Sequence, residues 1–264
     1  MTGMKTKTLL LFTALAAAAA AQQTQLDIKV PDTVESDLFG PVKSTRTVYE
    51  KERFLSSTNR NSTYEYDQTY DEKGNQLTYV YIDLDDSTTN VTTCLYDSDG
   101  CLTGKVYNAA DTETNTVYSY TIDVPSRQIL RINHKTDDRR VTVYTPQGYE
   151  YYIEDRDGSN TVESVTRIKR QPDHKEYELH VVDGDGEPVR SSYMEWNTSG
   201  LMRKYRYHRP GTNAYTTITR YTHPKKDAHG NWLKLVKRQD RIYEGKKEAY
   251  SETIAVREIE YYEE

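Results

Sequence analysis

Tyr70-Asp71-Glu72-Lys73-Gly74-Asn75 and Tyr96-Asp97-Ser98-Asp99-Gly100 are two copies of one turn phrase, and their reading decides the fold. An Asp side chain accepts hydrogen bonds from the backbone N–H groups just ahead of it, and the Gly takes the positive φ that closes the reversal. Weaker copies stand at Asp155-Arg156-Asp157-Gly158 and Asp227-Ala228-His229-Gly230-Asn231. A chain that doubles back on such short loops lays down antiparallel neighbours.

The segments between the turns alternate with a period of two. Tyr64, Tyr66, Gln68 and Tyr70 fall on one face, with Glu65, Asp67 and Thr69 on the other. Thr78-Tyr79-Val80-Tyr81-Ile82, Val117 to Ile122, Val141 to Tyr144, Tyr149 to Ile153, Tyr177 to Val182, Val189 to Trp196, Met202 to His208, Tyr215 to Thr222, Trp232 to Lys237 and Ile254 to Tyr262 continue the pattern. β-branched and aromatic residues dominate, as strands prefer. Tight turns alternate with longer polar connections such as Asp85 to Asn90 and His134 to Asp138. The expected fold is all-β, a long antiparallel β-meander of roughly 14–17 strands built from repeated hairpins. A flat open sheet of that size is unusual, so it is expected to curl, spiral or close, with a curled or spiralling sheet as the form expected here. A membrane barrel requires an apolar lipid-facing band on every strand, and arms such as Met202-Arg203-Lys204-Tyr205-Arg206-Tyr207 carry charge on both faces.

Lys5 and Lys7 precede Leu9-Leu10-Leu11-Phe12, an alanine run ending at Ala21, and polar Gln22-Gln23. A cationic lead, a short apolar stretch and small residues at a polar junction define a signal peptide over residues 1–21. The apolar stretch is too short to span a bilayer, which needs about 20 residues. The chain is therefore expected to be exported to the periplasm or beyond, and not to span the membrane after cleavage. Residues 22–40 read as an N-terminal segment with a short helix, capped by Asp32 with Glu35 three residues on and stopped at Gly40-Pro41. Residues 41–264 form the sheet domain.

Removing residues 1–21 takes away two lysines and no acid, moving the formal net charge from −6 to −8. Nucleic acid is not expected as a partner, because phosphate binding needs a cationic surface. Leu, Ile, Val and Phe supply only 43 of the 243 residues after Ala21, a poor stock for an aliphatic core. The 24 tyrosines compensate, since each buries a large ring while its hydroxyl stays wet. Cys94 and Cys101 are the only cysteines and bracket one turn. A bridge between them suits an oxidising compartment, and two free thiols are the alternative.

Asp97-x-Asp99-Gly100, Asp155-x-Asp157-Gly158 and Asp183-x-Asp185-Gly186 resemble the start of calcium loops, but each lacks Gly at position six and Glu at position twelve, so turn chemistry is the expected use of these acids. His223 and His229 have no third ligand nearby in sequence and read as loop histidines. Met202 to Arg209 interleaves arginine with tyrosine and reads as an exposed strand, salt-bridged to a Glu-rich neighbour such as Ile254 to Tyr262. No nucleophile elbow, phosphate loop or zinc-protease helix is present, and no cofactor or metal is expected. The tyrosines remain, either as the core of a thin sheet or as a face that stacks sugar rings or a partner's surface.

Asp37-Leu38-Phe39-Gly40-Pro41-Val42-Lys43-Ser44, the turn at 70–75, Asp227-Ala228-His229-Gly230-Asn231-Trp232 and Arg257-Glu258-Ile259-Glu260-Tyr261-Tyr262 together resemble RHS/YD-repeat-like proteins exported by Gram-negative bacteria. The resemblance implies an antiparallel sheet that winds as hairpins are added, carbohydrate-binding or shell-like roles, and no shared catalytic residues. The repeats here are longer than the family's, and several lack the Tyr or the Gly. The expected function is a non-catalytic binding or structural module at the cell envelope, with a glycan or an envelope protein as partner. The alternatives are a polysaccharide hydrolase using a carboxylate pair, or a partner module that adds strands at a sheet edge.

Overall fold

The computed structural model describes residues 38–55, 59–109, 115–146, 148–171 and 176–263; the signal-peptide segment and the helix read near Asp32 lie outside them. Sixteen strands follow in chain order. They are β1 (Val42–Leu55), β2 (Asn59–Tyr70), β3 (Gln76–Asp83), β4 (Thr88–Tyr96), β5 (Leu102–Ala109), β6 (Thr116–Asp123), β7 (Gln128–Asn133) and β8 (Arg139–Tyr144). Then come β9 (Glu150–Arg156), β10 (Val162–Arg170), β11 (Glu176–Asp183), β12 (Pro188–Trp196), β13 (Met202–Arg209), β14 (Tyr215–Lys226), β15 (Trp232–Tyr243) and β16 (Lys246–Tyr261). Each pairs antiparallel with its neighbours in sequence, and β1 pairs with β16, so the meander closes into a barrel.

Closure corrects the spiral expected from sequence. The two ends of the sheet are its longest strands, and they zip from Val42↔Tyr261 to Leu55↔Ala249. A spiral would leave both edges unpaired, whereas the seam satisfies their backbone groups and removes the edges.

The turn phrase supplies curvature as well as reversal. Asp71 Oδ1 accepts the N–H groups of Lys73 and Asn75; Asp97 repeats this with Asp99 and Cys101, Asp183 with Asp185 and Glu187, Asn197 with Ser199 and Leu201, and Asp227 with His229 and Asn231. Asp157 brackets Thr161, and Thr145 makes a hydroxyl version with Tyr149. A register shift accompanies every one of these seven turns, at Tyr70, Tyr96, Tyr144, Val162, Val182, Trp196 and Lys225–Lys226. A bulge bends its strand and raises the local twist, so the repeated phrase rolls the sheet toward closure. In the 155–158 copy the roles differ from the sequence reading: Asp157 is the bracket, and Asn160 takes the positive φ of 68°. Gly158 is needed for space, because a Cβ there would stand 2.6 Å from the Thr136 carbonyl oxygen.

Paired residues share a face, so one face can be followed around the whole barrel. Thr47, Tyr66, Tyr81 and Asn90 lie in one inner row, and Tyr79, Thr92, Tyr107 and Thr116 in the next. The buried strand residues Thr45, Thr47, Cys94, Thr142, Thr166, Val181, Thr219, Leu235, Ala255 and Arg257 fall on this face and exposed Val117 and Val256 on the other, where Glu65 is the exception, buried under its ion pair with Arg46. The buried hydrophobic clusters lie beside the seam. Leu38, Val42 and Tyr70 pack with Ile259 and Tyr261; Leu201, Trp232, Leu235 and Ala255 pack with Phe39, Tyr49 and Tyr221.

Candidate functional site: the inner wall and the seam

The four stretches that carried the family resemblance meet at one end of the barrel. Leu38 packs against Tyr70. Asn231 Nδ2 donates to the Phe39 carbonyl (2.8 Å) and to the Tyr261 hydroxyl (2.6 Å), and its Oδ1 accepts the Phe39 N–H (2.5 Å). The Tyr261 hydroxyl donates in turn to Asp227, and that of Tyr262 to the Tyr70 carbonyl. Burial acts to raise the Asp227 carboxyl, but Tyr261 and the N–H groups of the turn outweigh it and hold the group below its ordinary value. Burial, with Asp227 adding to it, pushes the Tyr261 hydroxyl up to about 12. His229 packs on the Tyr261 ring at 4.4 Å and crowds Gly40, where a Cβ would lie 3.0 Å from its Nδ1 and push the imidazole aside.

Directly inside this latch is a cavity of about 320 Å³, lined by Thr47, Tyr49, Tyr66, Gln68, Tyr79, Met202, Tyr221, His223, Trp232, Leu235 and Arg257. Arg257 is buried, its guanidinium 3.5 Å from the centre of the Trp232 ring and its Nε donating to Thr47 Oγ1 (3.2 Å). Tyr49 stacks on Tyr64 at 4.9 Å, and Tyr66 packs edge-on to both and beside Tyr79 and Tyr81. Burial pushes the Tyr79 hydroxyl up, so it stays protonated and able to donate. Burial, reinforced by the charges of Lys226 and Arg257, pushes His223 down to about 4, leaving it neutral at pH 7. No carboxylate lines this cavity. The acids gather instead in an outer depression at the end of the seam, formed by Pro41, Lys43, Glu72, Glu260, Tyr261, Tyr262 and Glu263, where Lys43 and Ser44 already hold Glu260.

Charge is sorted between the two faces. Of the nine ion pairs among the described residues, the register places only Arg140–Asp155 on the inner wall. Lys43–Glu260, Arg46–Glu65, Arg156–Glu154, His180–Glu178, Arg203–Glu195, Arg220–Asp240, Lys247–Asp240 and Arg238–Glu252 all lie outside. Four of the inner cations rest on rings: Arg131 over Tyr118, Arg170 over Tyr177, Arg241 over Tyr215 and Arg257 over Trp232.

The residues singled out from sequence fall in different places. Cys94 and Cys101 are not joined in a disulfide. The register sets Cys94 opposite Lys105, whereas Cys101 closes the turn against Asp97, three residues farther along. That offset is about 10 Å of strand, beyond the reach of a disulfide. His223 lines the cavity and His229 belongs to the latch. Among the described residues, no group of three or more His, Cys, Asp or Glu is placed to hold a metal ion. Met202 to Arg209 does not neighbour β16; it lies between β12 and β14, with Arg203 paired to Glu195 and Arg206 over Tyr193. Arg257 and Trp232 were visible in sequence only as parts of two motifs at separate places in the chain, with nothing to mark them as a stacked pair.

The geometry defines a class: a closed, wholly antiparallel meander barrel with an aromatic, cation-bearing inner wall. No family model matches the chain, and no curated protein matches it. Among solved structures it is similar to a porin-like protein from Bacteroides uniformis, at 10% identity over 84% of this chain and 99% of that one, with a TM-score of 0.43. It is similar to a LolA superfamily protein from Nitrosomonas europaea, at 7% identity over 90% and 92%, with a TM-score of 0.31. A TcdB2–TccC3–Cdc42 structure matches at 12% identity over 76% of this chain and 15% of that one, with a TM-score of 0.29. At these scores none of the likenesses bears on what this chain does.

Proposed function

We propose that this is an exported, non-catalytic, YD-repeat-like binding module of the cell envelope, whose ligand is a glycan held against the tyrosine-lined inner wall. The observation that carries the reading is the patch of Tyr49, Tyr64, Tyr66, Tyr79 and Tyr81 on the inner faces of β1, β2 and β3, beside a cavity that also presents Thr47, Gln68 and Trp232. Flat ring faces match the C–H faces of sugars, while hydroxyl and amide groups satisfy sugar hydroxyls. The lead from Lys5 to Ala21 supports export. The absence of carboxylates from the cavity lining favours binding over a hydrolytic carboxylate pair.

The outer wall supports a barrel that faces water. No helix among the described residues is long and apolar enough to cross a membrane. For the strands, the outward ion pairs Arg46–Glu65, Arg220–Asp240 and Arg238–Glu252 stand on β1, β2, β14, β15 and β16, where a lipid-facing band would have to be apolar.

A glycan array carrying envelope and host polysaccharides tests the reading. Binding is expected, lost in Tyr66→Ala and Tyr79→Ala and kept in Tyr193→Ala, whose ring lies on the outer wall. Binding that ignores both inner substitutions would remove the glycan reading.

A further inference from the structure

We propose that the cavity beside Trp232 is a subsite for the carboxylate of an acidic sugar, with Arg257 as its anchor; this inference rests on the glycan reading above. Among the strand residues whose side chains are described, leaving aside those paired beyond a bulge, the register turns nine cations inward (Lys105, Arg131, Arg140, Arg170, Arg190, Arg209, Lys237, Arg241 and Arg257) against three acids (Asp83, Asp155 and Asp183). Each of those acids is already engaged, Asp155 by Arg140, Asp183 by its own turn, and Asp83 by the Tyr81 hydroxyl and the Asp85 N–H. A chain that is acidic overall therefore encloses a positive interior. Field lines are focused inside such a concavity, where low-dielectric walls screen poorly.

The cavity is where this field meets a shaped surface. Arg257 is fixed by Thr47 and by stacking on Trp232, so its charge is held in place before any ligand arrives. A pre-ordered guanidinium matches a carboxylate better than a mobile ammonium does. Lys237, one inner position beyond Leu235 on β15, adds a second cation; burial pushes its ammonium down, and Thr253 and Tyr221 stand opposite it. His223 is held neutral partly by Arg257 and Lys226, as a positive local field requires. The volume of about 320 Å³ lies at the small end for ligand sites, the scale of one sugar unit.

The test titrates the protein with oligogalacturonate and oligomannuronate, their methyl esters, a neutral malto-oligosaccharide and a thymidine oligonucleotide, read by calorimetry and by Trp fluorescence. The acidic sugars are expected to bind, with added salt weakening them and the esters binding about tenfold or more weakly, the scale of one charge-assisted contact. Arg257→Gln is expected to lose a similar factor and Arg257→Lys to recover part of it. Should Arg257→Gln fail to fold, Lys237→Gln serves in its place, with a severalfold loss expected. Equal binding of acids and esters, or full affinity in Arg257→Gln and Lys237→Gln, overturns the anionic subsite and leaves the glycan reading standing. Tighter binding of the oligonucleotide, or displacement of the sugar by equimolar sulfate, overturns the choice of an acidic sugar. If no sugar of either charge binds, here or on the array, both readings fall.

Discussion

Asn231 grips Phe39 at both backbone groups, accepting its N–H at 2.5 Å and donating to its carbonyl at 2.8 Å, although 192 residues separate them. This one side chain imitates a strand partner for a segment that lies outside the sheet, and its other amide hydrogen reaches Tyr261 on β16. It thus ties the entry of β1, the turn before β15 and the end of β16 into one knot at the seam.

Asn231→Ala removes three hydrogen bonds at a fully buried position. At about 1 kcal/mol net for each bond, with a further cost for groups left unsatisfied, the expected loss is about 2–4 kcal/mol in urea unfolding. Amide exchange should speed up first along β1 and β16. A loss below about 0.5 kcal/mol, with the seam still protected, would show that the knot contributes little.

Two turn glycines separate backbone strain from contact. Gly186 has a φ of +90° with nothing near its missing Cβ, whereas Gly200 has a φ of +76° and a Cβ there would come within 3.3 Å of the Phe39 ring. Gly186→Ala should cost about 1–2 kcal/mol for the left-handed backbone alone. Gly200→Ala should cost about 1–3 kcal/mol more, because Phe39 must shift. Equal losses in denaturant titrations would mean that Phe39 does not sit against the turn.

His223 makes stability depend on pH. Its pKa is about 4 in the folded barrel against an ordinary value of 6.5, so between these values the unfolded chain binds the proton and the native one does not. Stability therefore falls as pH drops from about 6.5 toward 4, and is indifferent to this group above that window. His223→Gln should flatten this part of the stability profile. An unchanged slope would place His223 in contact with water.

Sequence revealed what local chemistry controls. Alternation along Tyr64 to Tyr70 marked strands, and the Asp-to-Gly phrases marked reversals. It did not say which face was inner, since a period of two assigns Tyr66 and Glu65 to opposite sides without saying which side is covered. Closure was hidden as well, because Val48 and Val256 meet across the length of the chain and neither carries a pairing signal. The bulges were unreadable for a related reason: whether Tyr96 opposes Leu102 or Cys101 is settled by the ladder, and that one-residue choice also decided the fate of the cysteines. Arg257 shows the same limit, for its stacking partner is brought to it only by the β15–β16 register.

The central claim is that β1 and β16 pair, turning a meander into a closed vessel. In a Cys94→Ser/Cys101→Ser background, Val48→Cys and Val256→Cys place two cysteines at directly opposed positions of the seam. Opposed residues of an antiparallel pair stand about 4.5–5.5 Å apart between Cα atoms, within disulfide reach. Under mild oxidation an intramolecular bridge should form in good yield in the monomer, read by mass spectrometry and by gel mobility with and without reductant. Thiols that stay free, while the protein keeps its β-sheet circular-dichroism spectrum, would mean that the sheet is open.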